Sequence, residues 1–252
     1  MTMKLTKRLA VACLVATALA PTVQAVDNDF GMWYSISAEK KITKKWSAEI
    51  EAEMRTRNDA RTWDRWSAGV SAKYKLTRWL NAEASYVFLN DNNPEKISYH
   101  TNGDYNNWRP SYWGTRYRFN VSLTGKVGFG GFEVSLRERW QYTYRPEATT
   151  ERYDFDNSLW EDVDVRGKGS NVLRSRLQVE YNIPKSKVDP FASVELFNAW
   201  HIDKVRYVIG AEWKIRKKHV IGAEYIHQTI NGDDDDNDPN SNILSLSYKF
   251  KF

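Results

Sequence analysis

From Met32 onward, apolar and polar residues alternate with a period of two, in long runs separated by turns. The clearest case is 46–57, where Trp46, Ala48, Ile50, Ala52 and Met54 share one parity. Ser47, Glu49, Glu51, Glu53 and Arg55 share the other. Successive side chains of a strand point to opposite faces, so this run has one apolar side and one charged side. The segments 65–76, 113–123 and 172–183 repeat the pattern, the last setting Leu173, Leu177 and Val179 against Arg174, Arg176 and Glu180. Further strands are read at 32–41, 79–89, 131–145, 190–199, 204–215, 219–230 and 242–252.

Most of these runs are about 10–14 residues long, whereas soluble strands average about 5–6 and a tilted membrane strand needs about 9–11. Length and the charged second face together point to an all-β, transmembrane, antiparallel up-and-down barrel whose polar side lines a lumen. The connections alternate in length. Short ones fall at 42–45, 77–78, 125–130, 184–189 and 216–218, and long polar ones at 90–111, 145–170 and 231–241. Bacterial barrels keep short turns on the periplasmic side, so the long connections are expected outside the cell. The runs number eleven. An antiparallel barrel with both ends in the periplasm needs an even number, so twelve strands are expected, with ten as the alternative. Glu138 interrupts the pattern by falling on the apolar side of its run, among Leu136, Trp140 and Tyr142.

Residues 1–25 read as a cleaved signal peptide: Lys4, Lys7 and Arg8, an apolar stretch from Leu9 to Leu19, then Val23-Gln24-Ala25. The barrel is then 26–252. The only cysteine, Cys13, lies in the leader, so no disulfide or thiolate metal site is expected in the mature chain. Cleavage removes three basic residues and no acidic one, taking the formal charge from +5 to +2. Nothing in that balance calls for nucleic acid. No stretch of 18 apolar residues exists, which leaves strands as the means of crossing a membrane. The 11 Trp and 14 Tyr suit aromatic girdles at the two interfaces.

The chain ends in Leu244, Leu246, Tyr248, Phe250 and Phe252, which resembles the closing strand of outer-membrane barrels. That likeness implies that Tyr248, Phe250 and Phe252 are an assembly signal read by the barrel assembly machinery, in a protein of the bacterial outer membrane. The chain also resembles the DUF2490 family of uncharacterised bacterial outer-membrane proteins. The likeness lies in Asp29-Phe30-Gly31-Met32-Trp33, Lys44-Lys45-Trp46, Leu173-Arg174-Ser175-Arg176-Leu177 and Val194-Glu195-Leu196-Phe197. It implies a barrel surrounded by outer-membrane lipid and lipopolysaccharide, and no particular activity.

Catalytic chemistry is thinly represented. Outer-membrane lipid hydrolases need a Ser and a His on neighbouring lipid-side positions with a third polar group. His227 has lipid-side parity while Ser245 and Ser247 on the following strand have lumen parity, and no G-x-S-x-G elbow exists. No cofactor is expected. No metal site is expected either, the run Asp233-Asp234-Asp235-Asp236-Asn237-Asp238 lacking the glycine turn and distal Glu of a calcium loop. The lumen carries more information. Pairing the strands by their turns sets Lys73 between Glu49 and Glu83, and brings Arg116 and Arg118 beside Arg137 and Arg139. Arg174 and Arg176 follow, with Glu195 near Arg176. An arginine wall short of carboxylates implies a wet interior, hence a small porin-like channel for hydrophilic solutes or ions. The alternative is a closed barrel whose outer loops bind a partner or lipopolysaccharide, and the third reading is a lipid hydrolase.

Overall fold

The computed structural model describes residues 28–216, 218–231 and 240–252. The expected leader and the acidic run 233–238 lie outside the described residues. Alternation becomes fifteen strands: β1 (Asp29–Lys41), β2 (Trp46–Arg57), β3 (Thr62–Lys75), β4 (Leu80–Asn93), β5 (Lys96–Tyr99), β6 (Tyr105–Arg109), β7 (Tyr112–Phe129), β8 (Phe132–Arg145), β9 (Ala148–Asp154), β10 (Leu159–Val165), β11 (Lys168–Tyr181), β12 (Val188–Asn198), β13 (Ile202–Ile215), β14 (His219–Ile230) and β15 (Ser241–Lys251). Eleven close into a barrel in the order β1-β15-β14-β13-β12-β11-β8-β7-β4-β3-β2. The other four form a separate sheet, β10-β9-β6-β5, built from the two longest connections.

The expectation of twelve or ten strands is therefore corrected to eleven. Its faulty step was the requirement for an even number. β1 runs parallel to β15, with Asp29 opposite Ser241 and Glu39 opposite Lys251, so an odd number of strands closes through one parallel seam. β1 consequently enters the wall from the long-connection end. The connection 145–170, read from the sequence as a long polar loop, holds two strands, β9 and β10, which stand outside the barrel.

Outward positions of the wall are apolar and open to the surroundings. Ile36, Ile50, Val70, Leu136, Leu177 and Ile209 each remain at least half exposed, as lipid-facing residues of a barrel do. Glu138 does sit on this face, directly opposite Ser175, whose hydroxyl donates to it over 2.6 Å.

One turn resets the lumen. Gly125, Gly128, Gly130 and Gly131 suggest a connection at 125–130, yet β7 continues to Phe129 and turns only at Gly130-Gly131, both with positive φ (56° and 94°). A two-residue hairpin turn with left-handed residues matches strand twist, and glycine adopts it without steric cost. The register follows: Arg139 faces Ser122 and Arg118 faces Thr143. Where Arg116 and Arg118 were expected beside Arg137 and Arg139, this register sets Thr124 opposite Arg137 and Ser122 opposite Arg139, and both β7 arginines lie further along the strand.

Candidate functional site

The register places Arg137 opposite Arg176 and Arg139 opposite Arg174 between β8 and β11. Across β12 and β13, Arg176 faces Glu195, which faces Arg206, while Arg174 faces Phe197, which faces Lys204. Four arginines of the expected wall thus lie together. Arg116 and Arg118 lie apart from them, nearer the long-connection end, where Asp91 of β4 pairs with both Arg116 (2.9 Å) and Arg65.

Five of the six wall arginines have fixed partners. Glu195, itself 5% exposed, takes Arg137 at 2.5 Å and Arg174 at 2.9 Å. Arg139 donates to Ser122 (2.9 Å) and reaches over β7 to Glu83 (3.0 Å), which also lies 3.6 Å from Lys73. Arg118 bonds Thr143 at 3.1 Å. Arg176 makes no ion pair among the described residues. Glu49 pairs with Lys249 of β15 at 2.9 Å, where the sequence reading set it beside Lys73.

The ion pairs are stitched together by two aromatic residues that point inward. Trp33 of β1 lies under Arg55 of β2 (3.8 Å) and under Arg206 of β13 (5.0 Å), so it spans the two strands between β1 and β13. Phe197 collects Arg206 (4.7 Å), Arg174 (4.4 Å) and Lys204 (5.1 Å) on its ring. Cations over a ring face are attracted by its quadrupole, most strongly where water is excluded. Arg206 also donates to Gln228 of β14 at 2.6 Å. Each of the eleven wall strands supplies a side chain to one of these interior clusters, β15 through the separate Lys249–Glu49 pair. Lys204 and Gln228 are each 1% exposed, Lys204 lying over Phe197 and Gln228 accepting from Arg206. Leu89, Ile226 and Ile243 fill the space between.

Alternation along their strands puts Trp33, Phe197, Arg206 and Gln228 on the lumen side. What hid their role was that alternation says which side a residue takes, not how far its side chain reaches. Among the described residues no histidine is paired with a serine: His227 meets Asn242 (2.9 Å), His219 meets Tyr248 (2.7 Å), His100 meets Asp156 (3.1 Å) and His201 meets Asp203 (2.5 Å). Of the closing residues, Tyr248 shares its hydroxyl with His219, and Phe250 stacks on Phe252 with centroids 5.6 Å apart.

The outer sheet is the second site. Its four strands put Ile97, Trp108, Tyr153 and Trp160 directly opposite one another on one face. Ring contacts extend the row through Phe155 and Tyr105 to Tyr99, each step with centroids 5.1–5.5 Å apart. The turn from β9 to β10 is held by Asp154. The Asn157 side chain, with the backbone N–H groups of Asn157 and Asp156, donates to it and keeps its carboxyl below the usual carboxylate range.

No curated protein matches the chain. Thirteen solved chains do. One is the beta domain of the Bordetella autotransporter BrkA, 12% identical, covering 81% of this chain and 79% of that one at a TM-score of 0.49. Another is the NanC porin, 14% identical, covering 89% and 99% at 0.45. A third is a porin, 12% identical, covering 77% and 56% at 0.33. The family model described as "Protein of unknown function (DUF2490)" matches residues 30–238, most of the chain, and the protein belongs to that family.

Proposed function

We propose that this protein is an outer-membrane barrel with a lumen sealed by its own side chains, which holds the outer sheet away from the membrane as a recognition surface. The observation that carries this reading is the set of interior ion pairs and ring contacts, to which all eleven strands contribute and among which Lys204 and Gln228 are covered almost completely. Eight-stranded barrels are filled by side chains and 16–18 strands leave an aqueous channel, so at eleven strands the reading rests on the interior side chains rather than on strand number. Five of the six arginines that argued for a wet, porin-like interior have carboxylates, hydroxyls or rings as partners, Arg176 being the exception among the described residues. The closed-barrel alternative takes the place of the channel. The apolar, exposed outer wall supports insertion in a bilayer, and the short turns at one end with long insertions at the other support the usual outer-membrane orientation.

The test uses single cysteines, since Cys13 is the only native one and lies in the expected leader. Leu159→Cys, on the outer sheet, should react with a membrane-impermeant maleimide on intact cells. Thr77→Cys, in a short turn, should react only after permeabilisation. Labelling of Thr77→Cys alone on intact cells would reverse the orientation and remove the sheet from the cell surface.

A further inference from the structure

Resting on that reading, we propose that the aromatic face of the outer sheet binds an extended, lysine- and arginine-rich stretch of another polypeptide. The face is defined by register. Tyr153 and Trp160 oppose one another, as do Glu151 and Asp162, and Thr149 and Asp164. Residues two apart on a strand share a face, so Glu151, Asp162 and Asp164 stand on the same side as the row of rings, and all three are exposed. The bases of the sheet take the other side. Arg152 opposes Glu161 and pairs with it at 2.9 Å, Lys96 opposes Arg109, and Arg109 stacks over Tyr112 at 5.4 Å. The aromatic face therefore presents carboxylates and π-faces with no lysine or arginine among the described residues.

Aromatic patches of this size exposed in water mark binding surfaces. Here Tyr99, Tyr105 and Trp160 are at least half exposed. What they face must be chosen by charge. Carboxylates beside rings attract cations twice, through Coulomb attraction and through the ring quadrupole, and repel anions. The phosphate-bearing core of lipopolysaccharide is disfavoured for that reason. A single small ammonium ion would engage one or two rings and leave the rest bare. Alternate side chains of an extended chain lie about 6.6–6.8 Å apart, wider than one ring step, so several flexible cationic side chains can reach the row together without matching it ring for ring. The geometry thus suits a multivalent polycation, whose basic side chains lie on the rings while their charges meet Glu151, Asp162 and Asp164.

The experiment uses the full protein folded in detergent and checked by its heat-dependent shift on gels. The probe is a fluorescent ten-residue peptide of alternating Lys and Ser. We expect saturable binding that weakens at least tenfold between low and physiological salt. Glu151→Gln with Asp162→Asn preserves shape and should weaken binding at least fivefold, and Tyr153→Ala with Trp160→Ala should do the same at high salt, where Coulomb attraction is screened. Equal binding of a Glu-Ser peptide or of a neutral oligosaccharide would overturn the proposal, as would Lys-Ser binding that both double variants leave intact. Surface labelling of Leu159→Cys together with absent peptide binding sinks this inference and leaves the recognition surface standing. Absent labelling sinks both.

Discussion

Replacing Glu195 by glutamine removes the buried anion that two half-buried guanidiniums share. The carboxylate is 5% exposed and accepts from Arg137 at 2.5 Å and Arg174 at 2.9 Å. Glutamine keeps one acceptor oxygen, so one hydrogen bond survives in weaker, uncharged form. Losing one partner of a buried ion pair costs about 3–5 kcal/mol, because the remaining charge is left in a poorly hydrated place. The retained oxygen puts Glu195→Gln at the low end, about 3 kcal/mol, or roughly a hundredfold in the folding equilibrium. The control is the same chemistry in water: Arg152 and Glu161 are paired at 2.9 Å with both side chains 35% exposed. Glu161→Gln should cost less than about 1 kcal/mol. Urea titration of the two variants in lipid vesicles, followed by tryptophan fluorescence and approached from both directions, measures the difference. Equal midpoints would refute the reasoning, because they would mean that Glu195 is as well hydrated as a surface carboxylate and that the lumen is wet.

Two further outcomes follow from the wall. Ser35 and Ser247 face one another across the parallel seam, so Ser35→Cys with Ser247→Cys should form a disulfide under mild oxidation, seen as a gel shift reversed by reductant. A wall of ten or twelve strands closed antiparallel would keep the two thiols apart. Phe252→Ala with Tyr248→Ala removes one outward aromatic of β15, with the hydroxyl bonded to His219, and the aromatic just beyond its end, and should cut the folded protein in outer membranes by at least fivefold, with the remainder degraded in the periplasm. Normal levels would show that the closing strand is not what the assembly machinery reads.

Much of the barrel was legible because alternation is a local signal. All eleven wall strands appear in the sequence at close to their true positions, and counting them directly yields the correct number. The error entered through a rule about chain ends, which the parallel pairing of β1 with β15 breaks. β5, β6, β9 and β10 escaped because they are only 4–7 residues long and because β6 finds its partner in β9, some 45 residues away, with no turn between them to announce it. The candidate site was legible by side and not by contact. Parity put Arg139 and Glu83 in the lumen, but the ion pair between them crosses an intervening strand, and the glycines at 125–131 disguised the register that permits it. The outer aromatic face had no sequence signature, since it joins residues from two connections that each read as polar loop.

The sealed lumen is tested most directly by recording from planar bilayers loaded with protein shown to be folded. Wild type should give no conductance steps. Trp33→Ala with Phe197→Ala removes the two rings on which Arg55, Arg174, Lys204 and Arg206 rest, and should give discrete steps with anion preference. Steady wild-type conductance that the double variant leaves unchanged would contradict the account, placing the solute path outside the network and making this protein a channel after all.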